Sequence, residues 1–119
     1  MSSFNADDLR ILQETEEVQV ETRPDRLIPI WIVVADGQVY VRSVRGPRGQ
    51  WYQRLAGGET VQLAAGGKTW KVRGEHADQQ QIERVTHALG QKYGERWPRE
   101  TQMMLEPPTL PTTLRLLPM

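Results

Sequence analysis

The order of apolar and polar residues predicts a β-hairpin near the start of the chain. Positions 27–34 form an apolar, β-branched run, and Asp36-Gly37 follows it almost at once. This pair supplies the positive φ angles of a type I′ turn, so residues 39–41 must fold back antiparallel on the run. We therefore predict a β-hairpin over residues 27–44.

Four further segments alternate between apolar and polar residues, as strands with one buried face do. They comprise Val18 with Val20, residues 60–64 and 69–73 on either side of Gly66-Gly67, and residues 112–116. The Gly-Gly pair predicts a second hairpin. Together with the two strands of the first hairpin, this makes about six strands.

Helices are predicted where capping residues precede apolar residues at helical spacing. Asn5 stands before Asp7 and Asp8, which favours a helix start. Asp78 begins the clearest helix, whose apolar face is formed by Ile82, Val85, Leu89 and Tyr93. Residues 51–55 and 99–105 predict shorter helical stretches. Hairpins with grouped helices indicate the α+β class rather than a parallel doubly wound sheet.

Length and composition limit what the chain can be. At 119 residues we expect one domain, residues 1–119, with a modest core whose apolar faces a second subunit would cover. Fifteen basic and fifteen acidic residues cancel, which argues against nucleic-acid binding. Residues 1–17 have no apolar segment, so we expect neither a signal peptide nor a membrane span there. We therefore expect a cytoplasmic location.

Several kinds of chemistry find no support in the residue types. Without cysteine there is no disulfide, thiolate metal site or cysteine nucleophile. His76 and His87 lack the spacing of a metal site, so no metal is expected. The chain has no G-x-S-x-G, P-loop or G-x-G-x-x-G motif, which leaves hydrolase, NTPase and Rossmann functions without support.

The hairpin ends in an arginine-rich loop, residues 42–51, with the sequence RSVRGPRGQW. Arginine presents a planar fork of donors to phosphate or carboxylate oxygens, and glycines let backbone amides approach the same anion. Two interpretations stay open from these residues, namely an anion site or ordinary solvated arginines that pair with acids elsewhere. Of the four tryptophans, Trp51 beside this loop is the one we nominate to contact a planar ligand, whereas Trp31 and Trp70 are expected in the core.

The same residues carry a resemblance to a known superfamily. The stretches IPIWIVVADGQVYVRSVRG and PRGQWYQRL resemble the first long hairpin of the split β-barrel superfamily that contains pyridoxamine 5′-phosphate oxidases and deazaflavin-dependent reductases. GGKTWKVRGEHAD, YGERWP and TTLRL are similar to a small uncharacterised bacterial family assigned to that superfamily. The resemblance implies an antiparallel split β-barrel of about six strands with two or three flanking helices. It also implies a homodimer that binds FMN or a deazaflavin analogue at the subunit interface.

The resemblance extends to individual residues. It implies that basic and hydroxyl side chains after the hairpin hold the cofactor phosphate and that Trp51 flanks the ring system. Carried over by position, the cofactor-binding candidates are Arg42, Ser43, Arg45, Arg48, Trp51 and Arg54. Arg54 is the basic equivalent in a segment that reads WYQRLAGG, where the superfamily commonly has a basic residue, an Asn-Leu pair and a proline.

The resulting expectation is a flavin- or deazaflavin-binding protein, an oxidoreductase acting on an organic substrate. Its partner would be a phosphorylated planar small molecule. The absence of a recognisable catalytic dyad does not count against this, since a flavin itself supplies the reactive atoms. Two alternatives stay open: a non-catalytic binding or interaction module that has lost the cofactor, and a protein that sequesters a small anionic metabolite.

Overall fold

The computed structural model describes residues 3–119 and confirms the α+β class. The strands are β1 Glu17–Arg23, β2 Arg26–Trp31, β3 Val33–Ala35, β4 Gln38–Val41, β5 Val61–Ala65, β6 Lys68–His76 and β7 Leu114–Pro118. The helices are α1 Ala6–Glu14, α2 Gln50–Ala56, α3 Gln79–Tyr93 and α4 Pro98–Met104, with 3₁₀ segments at Gly46–Arg48 and Pro107–Thr112. Within residues 3–119, every helix is too short or too polar to cross a lipid bilayer.

The strands form one antiparallel sheet whose two edges meet. Its spatial order is β2-β1-β5-β6-β7-β4-β3, and every neighbouring pair is antiparallel. The edge strands β2 and β3 follow each other in the chain with only Ile32 between them. The sheet therefore curls until both of its edges lie along one continuous stretch of chain, which gives it a barrel-like form.

The prediction of about six strands was wrong, because the described chain has seven. The apolar run 27–34, predicted as a single strand, divides at Ile32. Before this residue the run pairs with β1, where Val18 lies opposite Ile30, and after it the run pairs with β4, where Val33 lies opposite Tyr40. The run 27–34 thus pairs with two different strands, β1 and β4, and is divided at Ile32 between them.

The predicted hairpin turn is confirmed, and so are the two helix starts. Asp36 and Gly37 have φ angles of 56° and 74°, as a type I′ turn requires. Asn5 and Asp78 each form a reciprocal capping box at the start of α1 and α3. Residues 3–119 contain four α-helices rather than two or three, because the short stretches predicted near residues 51–55 and 99–105 are complete helices.

Buried side chains fall into two groups on either side of the sheet wall. The larger group joins the strands to α1 and α2 and includes Leu12, Leu55 and Trp51. The smaller group joins α3 and α4 to β3 and β4 and includes Leu89 and Met104. Because α3 and α4 pack against the end of the hairpin, the first two residues after β4, Arg42 and Ser43, are buried by elements distant in sequence.

Side chains from α3 bind the backbone at the break between β2 and β3. The Ile32 amide donates to the Tyr93 hydroxyl at 3.1 Å, and Lys92 Nζ donates to the carbonyls of Ile32 at 2.7 Å and Leu12 at 2.9 Å. The ring of Trp31 stacks on Tyr93 at 4.0 Å between centroids. Burial raises the pKa of Tyr93 and lowers the pKa of Lys92 to about 8.

Candidate functional site

A cavity of about 640 Å³ lies at the end of β4. Its walls come from β2, the loop after β4, the first turn of α2 and α4. The walls are mainly apolar, and they include Ile28, Ile30, Trp31, Trp51, Met103 and Met104. Its charged lining consists of Glu17, Arg26, Arg42, Arg45 and Glu100. This volume lies within the range of about 300–1,000 Å³ that is typical of small-molecule sites.

The loop after β4 is held in one shape by short internal contacts. The Ser43 amide donates to Thr112 Oγ1 at 3.0 Å, and the Ser43 hydroxyl donates to the Gly46 carbonyl at 2.8 Å. A Cβ at Gly49 would overlap the Ser43 hydroxyl, so glycine at this position leaves room for that side chain. Ser43 therefore shapes the cavity wall, and its hydroxyl proton is already engaged within the loop.

Arg42 is the largest fully buried side chain among the predicted site residues, with 1% of its surface exposed. Its guanidinium donates four hydrogen bonds of 2.8–3.0 Å to acceptors on three other parts of the chain. The acceptors are the hydroxyls of Thr113 and Thr86 and the carbonyls of Met104 and Ile82. Arg42 thus ties the end of β4 to α3, to the last residue of α4 and to the residue before β7.

All four of these acceptors are uncharged. Within the described chain no carboxylate forms an ion pair with Arg42. Burial lowers its pKa to about 10, so the guanidinium stays protonated at neutral pH. The lining of the cavity therefore contains a buried positive charge with neutral hydrogen-bond partners.

Arg45 and Trp51 complete the part of the cavity that the sequence predicted. Arg45 is exposed and lines the cavity, and none of the acids in residues 3–119 forms an ion pair with it. Trp51 lies in the first turn of α2 and is 8% exposed. An anion and an apolar ring can therefore both be contacted from this side of the cavity.

The other two predicted residues lie elsewhere. Arg48 ends the 3₁₀ segment, is exposed and does not line the cavity. Arg54 is also outside the cavity lining and pairs with Glu59 at 3.3 Å. The structure brings together Arg42, Ser43, Arg45 and Trp51, and it leaves Arg48 and Arg54 outside.

Sequence reasoning missed the walls formed by β2 and α4. Trp31 was expected in the core, yet it lines the cavity while its ring stacks on Tyr93. Met103 and Glu100 line the cavity because α4 packs beside the loop. No local sequence pattern predicts this position of α4. The β2 residues gave no signal for the cavity either, because residues 27–34 are apolar throughout and do not distinguish one face of the strand from the other.

The two histidines have no metal-binding surroundings in the part of the chain that the structure describes. No group of three histidine, aspartate or glutamate side chains is placed to hold an ion among residues 3–119. His76 instead shares a hydrogen bond of 2.9 Å with the Tyr52 hydroxyl, and His87 lies on α3 beside a separate, open groove.

The fold and the cavity define a small α+β protein with a curled antiparallel sheet and a cavity at one end of its hairpin. Residues 5–116 match the model of a family described as "Uncharacterized protein conserved in bacteria (DUF2255)", so the chain belongs to this family. No curated protein matches the chain.

Proposed function

We propose that this protein is a member of the split β-barrel superfamily that binds FMN or a deazaflavin analogue in the cavity after β4. The observation that carries the proposal is the cavity of about 640 Å³, whose lining combines apolar walls and two tryptophans with Arg45, which forms no ion pair within residues 3–119. Support for the superfamily comes from the curled antiparallel sheet and from the sequence resemblance of the hairpin and its loop.

The residues present fit the two parts of such a cofactor. Trp51 and Trp31 offer apolar ring surface for a planar ring system. Arg45, which has no ion-pair partner in the described part of the chain, offers a guanidinium for a phosphate. A bound flavin supplies hydride transfer, which would make the protein an oxidoreductase acting on an organic substrate. The chain itself would bind and orient the cofactor and exclude water with the apolar wall of α4.

The proposal includes a homodimer and a cytoplasmic location. Val44 and Met103 line the cavity and are 46% and 51% exposed, so apolar surface continues from the cavity to the outside. The lining also has charges of both signs, including Arg26 and Glu100. A surface with both charges can pair with itself across a two-fold axis, because each residue meets a different one on the second copy. The second copy would cover the cavity mouth.

The experiment is a titration of the purified protein with FMN and with a deazaflavin, followed by cofactor fluorescence. Arg45→Ala should weaken binding about 10-fold, since a charge-assisted hydrogen bond is lost. Arg48→Ala is the matched control, because Arg48 lies in the same loop outside the cavity, and it should change affinity less than about 2-fold. Equal effects of the two substitutions, or no binding of either cofactor to the unaltered protein, would contradict the proposal.

A second candidate is a non-catalytic module that keeps the sheet and has lost the cofactor. The observation that favours it is the internal use of two predicted ligands. Arg42 donates four hydrogen bonds to acceptors within the protein, and the Ser43 hydroxyl donates to the Gly46 carbonyl. On this hypothesis the titration shows no binding of FMN or deazaflavin, while the folded protein and its cavity are unchanged.

A further inference from the structure

The unusual feature of the cavity is the charge of Arg42. A guanidinium removed from water is costly unless a counter-charge or a full set of hydrogen bonds compensates for the lost hydration. Arg42 is 1% exposed, and its four partners are two hydroxyls and two carbonyls. Within residues 3–119 no acid forms an ion pair with it, including Glu17 and Glu100, which line the same cavity. The counter-charge is thus not supplied by the described chain.

One donor of Arg42 is left over. The guanidinium has five N–H groups. Nε uses its hydrogen on Thr113, Nη1 uses both hydrogens on Thr86 and Met104, and Nη2 makes a single hydrogen bond to Ile82. One N–H of Nη2 therefore has no acceptor within residues 3–119, and Arg42 is part of the cavity lining. The three occupied nitrogens hold the group in place, which prepares it for a ligand without further ordering.

We propose that the cavity takes an apolar or aromatic organic acid whose single carboxylate is the counter-charge of Arg42. One free N–H and one positive charge match a carboxylate better than a phosphate, which needs several donors for its three oxygens. The rest of the ligand contacts Trp31, Trp51 and Met104. This names the substrate class for the cavity used in the proposed function, and it does not depend on flavin binding.

The competing explanation is that Arg42 only clamps α3, α4 and β7 to β4. A clamp needs hydrogen bonds but has no preference for the charge of a bound molecule, so charge is the property to test. Benzoate and benzamide form a suitable probe pair, because they have nearly the same shape and differ in charge. We expect isothermal titration calorimetry on the unaltered protein to show at least about 10-fold tighter binding of benzoate, as a charged hydrogen bond would give.

Two variants locate the effect. Arg42→Met keeps an unbranched, apolar stem and removes the guanidinium with its charge, so the preference for benzoate should disappear. Arg48→Met is the matched control, because this arginine is exposed in the same loop and lies outside the cavity, and it should keep the preference. If Arg42→Met does not fold, the probe pair is measured on the double variant Arg26→Met with Arg45→Met, which lacks the other two arginines of the cavity lining; a preference for benzoate that persists there comes from Arg42, and its loss there would overturn the inference. Equal affinities for benzoate and benzamide, or a preference that survives in Arg42→Met, would overturn the inference.

The flavin titration separates this inference from the proposed function. If FMN and deazaflavin fail to bind and benzoate still binds through Arg42, the proposed cofactor is wrong and the carboxylate site stands. If a flavin binds and the probe pair shows no difference, the carboxylate site is wrong and the cofactor proposal stands.

Discussion

At the scale of single residues, Tyr93 supplies the hydrogen bonds that Ile32 does not make to a neighbouring strand. Its hydroxyl accepts from the Ile32 amide at 3.1 Å and donates to the carbonyl of Glu16 at 2.6 Å, with the Ile32 carbonyl also within 3.0 Å. A buried amide without a partner is costly, so the chain depends on this one oxygen atom at the break.

We expect Tyr93→Phe to lower the free energy of unfolding by about 2 kcal/mol, since the Ile32 amide would stay buried without an acceptor. The stacked ring of Trp31 keeps its partner in this variant. Tyr52→Phe is the control, because within residues 3–119 the Tyr52 hydroxyl bonds only to the exposed His76, and this substitution should cost less than about 0.5 kcal/mol. Urea unfolding followed by tryptophan fluorescence measures both, and equal losses would contradict the role given to Tyr93.

Lys92 should make stability rise with pH in the alkaline range. Its pKa is about 8 in the folded protein against an ordinary value of 10.5, so the unfolded chain binds more protons between these values. Stability from this group therefore grows as the pH rises from about 8 to about 10.5, by up to about 3 kcal/mol. The neutral amine still has two N–H donors for the carbonyls of Leu12 and Ile32.

The measurement is the pH dependence of unfolding for the unaltered protein and for Lys92→Met. The difference between their free energies of unfolding should increase toward alkaline pH, whereas Lys71→Met, at an exposed position on β6, should show no such trend. A difference that is constant from pH 7 to pH 10 would show that Lys92 is not held as a buried amine.

Arg42 shows why the sequence can predict that a residue lies at the site without predicting which residues surround it. Its position after β4 follows from the hairpin, which is local in sequence. Its four partners lie 40 to 71 residues further along the chain. No pattern in one sequence indicates that those partners are neutral, and for this reason the missing counter-charge became visible only in the structure.

At the scale of elements, the β3–β4 hairpin is the best-predicted feature because two adjacent residues determine it. Asp36 and Gly37 both have positive φ angles, and no heavy atom lies within 4 Å of a Cβ placed on Gly37. The cost of substitution at Gly37 is thus one of backbone conformation alone.

A pair of glycine substitutions should have effects of opposite sign. Gly37→Ala should destabilise the protein by about 1 kcal/mol, because alanine is strained at positive φ. Gly90→Ala should stabilise it by up to about 1 kcal/mol, because Gly90 lies inside α3 and an added Cβ there meets no atom within 4 Å. Thermal unfolding measures both, and a loss of stability in Gly90→Ala would contradict the open space described at this helix position.

The division of the predicted 27–34 strand had no local signal. The residues on both sides of Ile32 are apolar and β-branched or aromatic, which is consistent with one continuous strand. The break exists because β1 pairs with the first half of the run and β4 with the second half. It also exists because side chains of α3, about 60 residues away in the chain, form hydrogen bonds with the Ile32 backbone. The sequence therefore predicted that these residues form strands, but it did not predict which strands each half pairs with.

At the scale of the whole molecule, the curled sheet brings α4, β2 and the loop after β4 together around one cavity. Glu100 and Met103 on α4 thereby face the same cavity as Arg26 and Ile28 on β2. This convergence depends on long-range packing, so the sequence predicted the arginine side of the cavity and missed the remaining walls.

The proposed homodimer should depend on Met103 and not on another exposed methionine. Met103 is 51% exposed at the cavity, and a lysine there would place a charge in the apolar part of the proposed interface. Met119 is 62% exposed beside β6, away from the cavity lining. Light scattering coupled to gel filtration should give a dimer for the unaltered protein and for Met119→Lys, and a monomer for Met103→Lys. A monomeric unaltered protein would exclude the dimer, and a dimeric Met103→Lys would place the interface on another surface.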